Sequence, residues 1–262
     1  MRIGVFVCDK RMNLVSEALK KDAQIIEIDE EESQGRLRQI APELDAVIFP
    51  SWGIEEDGFV IMKMKGLYVM DFLERLRKDC IVFSGKQSTV LNEFSFKKIY
   101  WLEDEEVLSE NAKLTAEGCL GCIISKTDKS LDRMRFDVLG SGRCALAVVQ
   151  LLKCLNLNVR IVSTSKRTDE SKGIIHYEQW KKADPYEIII NTAPAILIDR
   201  ETASCWKNHK TVFDLASVSC CDAKVMNHPF LTYHHESALP SRFCVKTAAE
   251  LITNKIRKDL CL

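Results

Sequence analysis

Between residues 138 and 145 the chain reads Val-Leu-Gly-Ser-Gly-Arg-Cys-Ala, so a short apolar run ends on Gly140-x-Gly142-x-x-Ala145 and passes at once into the helical pattern of residues 146–152. That is the sequence form of a βα turn that binds a dinucleotide. Gly140 lets the strand turn sharply, Gly142 removes the Cβ that would block a pyrophosphate, and small Ala145 lets the helix lie close to the strand. The helix then offers free backbone N–H groups to an anion, with Ser141, Arg143 and Cys144 lining the turn. A second strand pattern at residues 158–162 follows a helix of suitable length, which places the glycines inside a complete βαβ unit.

The end of that second strand selects the cofactor. NAD sites put an acid there, roughly 20 residues after the first glycine, to bind the ribose 2′-hydroxyl. This chain has Ser163-Thr164-Ser165-Lys166-Arg167 and no acid. Cations and hydroxyls at that place suit a 2′-phosphate, so NADP is the expected cofactor and NAD remains open. The bland alternative for the segment is a solvated loop.

The motif begins only at the middle of 262 residues, which leaves room for another domain before it. We expect an α/β protein of two domains. Residues 1–114 form a flavodoxin/Rossmann-like N-terminal domain, and residues 115–262 form a Rossmann NAD(P)-binding domain with a parallel sheet and a closing C-terminal helix. With 37 basic and 38 acidic residues there is no global field to gather nucleic acid or a membrane surface. No signal peptide and no apolar run of the roughly 20 residues that span a bilayer are visible, so a cytoplasmic protein is expected. Eleven cysteines lie scattered through apolar runs and read mostly as small buried hydrophobes. Cys119-Leu120-Gly121-Cys122 has no second ligand pair, and Cys220-Cys221 lacks metal-type spacing, so no metal is expected.

Strand-like runs at residues 2–7, 23–28, 45–49, 66–70 and 80–83 alternate with helical patterns such as 12–20 and 34–40, which implies a parallel sheet covered by helices. Such sheets bind ligands beyond the carboxyl ends of their strands. Pro50-Ser51-Trp52-Gly53 and Ser84-Gly85 lie at such ends, either facing a cleft or as plain loops. Thr115-Ala116-Glu117-Gly118 opens a helical stretch to about residue 126; Thr115 either caps that helix or meets a substrate carboxylate at the domain junction. Residues 187–194 read as a buried strand that delivers Asn191, Thr192, Ala193 and Pro194 to the nicotinamide side. The strand pattern of residues 211–217 carries Asp214 and Ser217, residues 230–234 form a last strand, and Lys246-Thr247 opens a final helix where an anion can sit. Adjacent His234 and His235 point to opposite faces of a strand and are read as packed or solvated.

Taken in order, Thr115-Ala116-Glu117-Gly118, Val138-Leu139-Gly140-Ser141-Gly142-Arg143, Ile190-Asn191-Thr192-Ala193-Pro194, Asp214-Leu215-Ala216-Ser217, Leu239-Pro240 and Lys246-Thr247-Ala248 resemble the A-type component of bacterial dipicolinate synthase, over nearly the whole chain. The run Cys80-Ile81-Val82-Phe83-Ser84-Gly85 also resembles that family's amino-terminal domain. The resemblance implies a mother-cell enzyme of sporulation that works with a flavoprotein-like B-type partner and oxidises a dihydropyridine dicarboxylate to dipicolinate, with NADP as hydride acceptor. It implies a small dicarboxylic acid substrate, with assembly as a homo-oligomer expected. The two carboxylates need cations and helix N-termini, for which Arg143, Arg242, Lys246 and Thr247 are candidates beside Thr115, Glu117, Asp214 and Ser217. Asn191, Thr192 and Ser217 take orientation roles, and no residue stands out as the general base.

The chain also departs from the family. Val218-Ser219-Cys220-Cys221 stands where the family has a Pro-Gly-Gly turn, Ser241 follows Leu239-Pro240 in place of a glycine, and Cys244-Val245 replaces an Ala-Pro. Side chains then stand where backbone could approach a ligand. Two other readings therefore stay open: a non-catalytic nucleotide-binding protein or sensor that acts with a partner, and a dehydrogenase of the same shape acting on another small acid.

Overall fold

Five parallel strands carry the first part of the chain. The computed structural model describes residues 1–164 and 173–262. In order come β1 (Arg2–Phe6), α1 (Lys10–Leu19), β2 (Gln24–Ile28), α2 (Gln34–Ile40), β3 (Ala46–Ile48), a hairpin of β4 (Phe59–Ile61) and β5 (Gly66–Tyr68), α3 (Met70–Arg75), β6 (Ile81–Ser84), α4 (Thr89–Asn92) and β7 (Lys97–Tyr100). The sheet order is β2-β1-β3-β6-β7, so the chain winds one way from β1 and then the other. β1 and β3 are apolar runs buried along nearly their whole length, as strands covered on both faces must be. Asp9 starts α1 by accepting Met12 N–H at 2.8 Å, and Met12, Val15 and Leu19 then fall on the buried face. The strand expected at residues 66–70 lies outside this sheet. Its residues pair antiparallel with β4 across a short turn, and β7 supplies the fifth parallel strand instead.

Helix α5 (Glu105–Lys126) follows, then β8 (Arg135–Leu139), α6 (Arg143–Cys154), β9 (Asn158–Ser163), β10 (Ile174–His176), α7 (Tyr177–Lys181), β11 (Ile188–Asn191), α8 (Arg200–Ser204), β12 (Lys210–Asp214), β13 (Leu231–His235) and α9 (Val245–Leu260). The second sheet runs β10-β9-β8-β11-β12-β13 with every pair parallel. Numbered within the sheet, that is the 3-2-1-4-5-6 order of the dinucleotide-binding fold, whose reversal falls between β8 and β11. Successive residues of β11 serve opposite layers. Ile188 and Ile190 pack with Cys119, Ile123, Val148 and Leu152 of α5 and α6, while Ile189 packs with Trp180, Ala203 and Trp206 on the other face.

Asp137 is the one acid inside β8, and it is fully buried. Arg160 grips it through two hydrogen bonds of 2.7 and 2.8 Å, and Trp180 Nε1 and Tyr186 N each donate at 2.8 Å. Arg160 also lies 3.4 Å over the Tyr186 ring. With its acceptors filled, this buried charge fixes β8, β9 and α7 to one another.

The chain divides into residues 1–110 with 245–262, and residues 111–244. The sequence pattern alone closes the second domain with the last helix. Instead α9 belongs with the first unit, where Ala249, Ile252, Ile256 and Leu260 join the core around β1 and β3. Its apolar residues recur at helical spacing, which shows a buried face but does not say whose core will take it.

In the first unit, the loops after β3 and β6 meet backbone to backbone at Gly85. A Cβ there would stand 2.1 Å from the Ser51 carbonyl oxygen, so only glycine fits. Gly85→Ala is expected to cost about 2–3 kcal/mol, measured by urea denaturation at constant m-value.

Candidate functional site

The carboxyl ends of β8, β11, β12 and β13 end level with one another, because the register pairs Leu139 with Asn191, Asn191 with Asp214, and Asp214 with His235. Loops therefore leave this edge side by side. Gly140 takes φ +117 and a Cβ there would lie 2.4 Å from Thr192 Oγ1, so both backbone and space demand glycine. Thr192 donates its hydroxyl to the Leu139 carbonyl at 2.9 Å and its N–H to the same oxygen at 3.0 Å. Gly142 is the N-cap of α6 and supplies no side-chain cap. A Cβ built on it meets nothing within 4 Å, so the space in front of the helix start is open. Ala145 is fully buried beneath the turn.

These observations fit a pyrophosphate. The first-turn N–H groups of a 12-residue helix are left without a side-chain cap, and the one substituent that would stand before them is absent. Ser141 and Arg143 are exposed at the turn, and Cys144 is half-buried, its thiol pushed up by burial. Ser163 ends β9 with its hydroxyl 3.3 Å from that of Ser141, and Thr164 beside it is exposed. Ser165, Lys166 and Arg167 lie outside the described residues.

Asn191 and Asp214 come together, but both look inward and both are fully buried. Asn191 Nδ2 donates to Asp214 Oδ1 at 2.8 Å and to the Ala193 carbonyl at 2.9 Å, while its Oδ1 accepts Ala193 N–H at 3.1 Å. Asp214 also accepts Ala216 N at 3.1 Å, Cys220 N at 2.6 Å and the Tyr233 hydroxyl at 2.7 Å. The sequence pattern offers Asp214 to substrate; its oxygens are instead occupied by the loops it holds. Burial and Asp214 together push the Tyr233 hydroxyl up and keep it a donor. Cys220 is likewise pushed up, by its neighbour Cys221 and by burial. Around this hub Thr192 and Ala193 are half-buried, and Pro194 and Ser217 are exposed.

Of the remaining sequence candidates, Thr115 is not a cap. It sits ten residues into α5, which starts at Glu105, and its hydroxyl bonds the Asn111 carbonyl at 2.8 Å. Glu105 and Glu106 form its first turn, so the start lies earlier than the Thr-x-x-Gly pattern implies. Glu117 is exposed and accepts the Cys244 thiol at 3.1 Å. Arg242 is engaged with Glu236 at 2.6 Å. Lys246 and Thr247 stand on the first turn of α9 in the first unit, where Lys246 lines a groove with Lys21.

Glu236 is a residue whose role sequence reasoning missed. It is 2 % exposed, with Lys126 Nζ 2.5 Å from Oε1, Arg242 Nη1 2.6 Å from Oε2, and the Cys122 thiol 3.4 Å from Oε2. Burial alone would raise its carboxyl, but the ion pair with Lys126 and the hydrogen bonds from Arg242 and Cys122 prevail and hold it at about 2. Cys122 is pushed up to about 11 by burial and then by Glu236, and buried Cys119 is also pushed up. All the described cysteines are free. The two histidines diverge: His234 packs against Phe213, and His235 Nε2 lies 2.8 Å from the Ala216 carbonyl.

Sheet order, the left-handed first glycine and the uncapped α6 define a doubly wound parallel α/β protein with a Rossmann dinucleotide-binding fold. No protein-family model matches the chain, and no curated protein matches it by sequence. Solved structures do. The A-type component of dipicolinate synthase from Bacillus halodurans superposes with a TM-score of 0.82 at 19% identity, covering 100% of this chain and 98% of that one. Its counterpart from Bacillus subtilis gives 0.79 at 20%, with 100% and 96% covered. Transhydrogenase from Sinorhizobium meliloti gives 0.64 at 13%, with 99% and 92% covered. At these identities the likeness is one of fold, and the fold is that of the dipicolinate synthase A-type component. No helix among the described residues is long and apolar enough to cross a membrane.

Glu236 sets a pH dependence. Its folded value lies below its ordinary 4.5, so its stabilisation is complete above that value and is lost as pH falls toward about 2. The stability gap between wild type and Glu236→Gln, read from urea midpoints, is expected to be widest above about pH 5 and to narrow steadily below it. A gap that stays constant between neutral and strongly acidic pH would contradict this.

Proposed function

We propose that this chain is an NAD(P)-dependent oxidoreductase of the dipicolinate synthase A type. The observation that carries the reading is Gly142: an N-cap without a side chain, open space before it, and a helix start at the reversal point of the sheet. Gly140, Ser141, Gly142, Arg143 and Cys144 would hold the pyrophosphate. Ser163 and Thr164, with Ser165, Lys166 and Arg167 from the sequence, would take the adenosine ribose and favour NADP through its 2′-phosphate. Asn191, Thr192, Ala193 and Pro194 would border the nicotinamide. A bound nicotinamide supplies the hydride acceptor.

What the protein's own residues do is hold and orient. The Asn191–Asp214 pair fixes the loops after β11 and β12, so the exposed Pro194 and Ser217 are presented on a rigid edge. The substrate in this reading is a dihydropyridine dicarboxylate oxidised to dipicolinate, where aromatisation supplies the driving force. Arg143, Lys246 and Thr247 remain candidates for its carboxylates, with Arg242 offering only the part of its guanidinium that Glu236 leaves. Work alongside a flavoprotein-like B-type partner, assembly as a homo-oligomer and a place in the mother-cell cytoplasm during sporulation belong to the same proposal.

A non-catalytic nucleotide-binding role is the second reading. Two polar sequence candidates, Asp214 and Arg242, are engaged within the protein, and Val218 is 50% exposed where the resemblance places a glycine turn. Turnover separates the two readings. In the enzyme, Lys246→Ala loses turnover while cofactor affinity stays; a sensor has no turnover to lose.

Titration with NADPH and NADH, followed by nicotinamide fluorescence, tests the cofactor site. Wild type is expected to prefer NADPH, and the Lys166→Ala/Arg167→Ala variant to lose that preference. Gly142→Ala has room for its Cβ and an ordinary φ of −78°, so it should fold normally yet bind at least tenfold more weakly, about 1.4 kcal/mol. Binding of neither nucleotide by wild type would end the oxidoreductase reading.

A further inference from the structure

The outer strands of a sheet present a row of backbone N–H and C=O groups that a soluble protein has to defend against pairing. Three of the four outer strands of the two parallel sheets are defended. β2 carries Glu27, β7 carries Lys97 and Lys98, and β10 is only 3 residues long. β13 differs: its 5 residues, Leu231-Thr232-Tyr233-His234-His235, include no Asp, Glu, Lys, Arg or Pro, and it ends the second sheet. Lys210 N donates to the Phe230 carbonyl and Glu236 N to the Asp214 carbonyl, each at 2.7 Å, so the even-numbered residues turn their backbone toward β12. Leu231, Tyr233 and His235 therefore turn theirs outward. Leu231 N is taken by the His228 carbonyl at 3.0 Å, but the Leu231 carbonyl and both backbone groups of Tyr233 and His235 have no hydrogen-bond partner among the described residues.

The same strand of a second copy matches those open groups. Turned antiparallel about a two-fold axis at Tyr233, β13 meets its copy with Tyr233 opposite Tyr233 and Leu231 opposite His235. The two Tyr233 residues exchange N–H and C=O, and His235 N–H of each chain reaches the Leu231 carbonyl of the other. The outward group already in use, Leu231 N, falls at the ends of the paired segment, where the His235 carbonyl opposite it can stay in water. No like charges meet across the axis, and the half-buried Tyr233 side chains come side by side on one face, a favourable cross-strand pair. Phe230, exposed just before the strand, adds apolar surface. We propose that this chain dimerises by antiparallel pairing of β13 with β13 of a second copy, which joins the two second-unit sheets into one. The proposal gives the homo-oligomer of the reading above an interface, and rests on that reading for this expectation alone. A strand of 5 residues covers little area, so the dissociation constant falls in the micromolar range.

Sedimentation of the full chain between about 1 and about 100 μM without nucleotide tests this, together with amide hydrogen exchange read residue by residue. Wild type should pass from monomer to dimer over that range. In the dimer the Tyr233 and His235 amides should exchange at least about tenfold more slowly than in the monomer, while those of Thr232 and His234, bonded to β12, stay slow in both. His235→Pro removes an outward N–H and no bond to β12, so it should weaken the dimer at least about tenfold, with slow exchange at Thr232 and His234 showing that it is folded. The exchange pattern of wild type decides the matter even where that variant does not fold. A wild type that stays monomeric at the highest concentration, a dimer whose Tyr233 and His235 amides exchange as fast as in the monomer, or a folded His235→Pro that dimerises as wild type does would each overturn the proposal. A dimer with the expected pattern that binds neither NADPH nor NADH would keep this interface and remove the cofactor reading, whereas a monomer that binds NADPH would do the reverse.

Discussion

One buried carboxylate, Asp214, sets the shape of the second unit's ligand edge. Four donors from four places in the chain converge on it: the Asn191 amide, the backbone of Ala216 and Cys220, and the Tyr233 hydroxyl. Together they tether three segments, the end of β11, the loop after β12 and the middle of β13, so these have one arrangement in common. A charge this deep is tolerated only because its acceptors are filled, and the loss of any donor would leave the others around an incompletely satisfied acid. Asp137 and Glu236 repeat the device elsewhere in the same unit. The unit is thus tied together by three buried acids, each at a place where strands or loops must keep register.

Much of this fold is legible in the sequence. Gly140 and Gly142, with the small Ala145, can be read because their chemistry is local: a turn, an approach and a close packing each need a missing or small side chain. The alternation of apolar runs with helical patterns marks the two parallel sheets for the same reason. Residues 66–70 mislead because a short apolar and aromatic run looks alike in a sheet centre and in a hairpin, and pairing is decided by what lies opposite. The start of α5 is hidden because an acidic stretch reads as solvated loop and as helix start equally well.

The site is legible in its positions and much less so in its roles. Asn191 and Asp214 do end level at one edge, with Thr192 just beyond, which the strand pattern places correctly. That Asp214 and Arg242 face partners inside the protein depends on Cys220, Tyr233 and Glu236, residues distant or unremarkable in sequence. Glu236 in particular looks like part of a polar tail after two histidines. Its burial follows from Lys126 and Arg242 reaching it from the end of α5 and from the turn before α9, a coincidence of three dimensions that spacing does not encode.

The return of α9 to the first core makes residues 111–244 an insertion between two pieces of another unit. On the ribosome the inserted unit has its whole chain available while the outer one still lacks Ala249, Ile252, Ile256 and Leu260. The order of synthesis and the order of completion are therefore reversed: the domain that starts first finishes last, and its apolar face waits through the synthesis of the whole insertion. A nascent chain of this design is most exposed to aggregation near its amino terminus, and its last helix is the element that ends that interval.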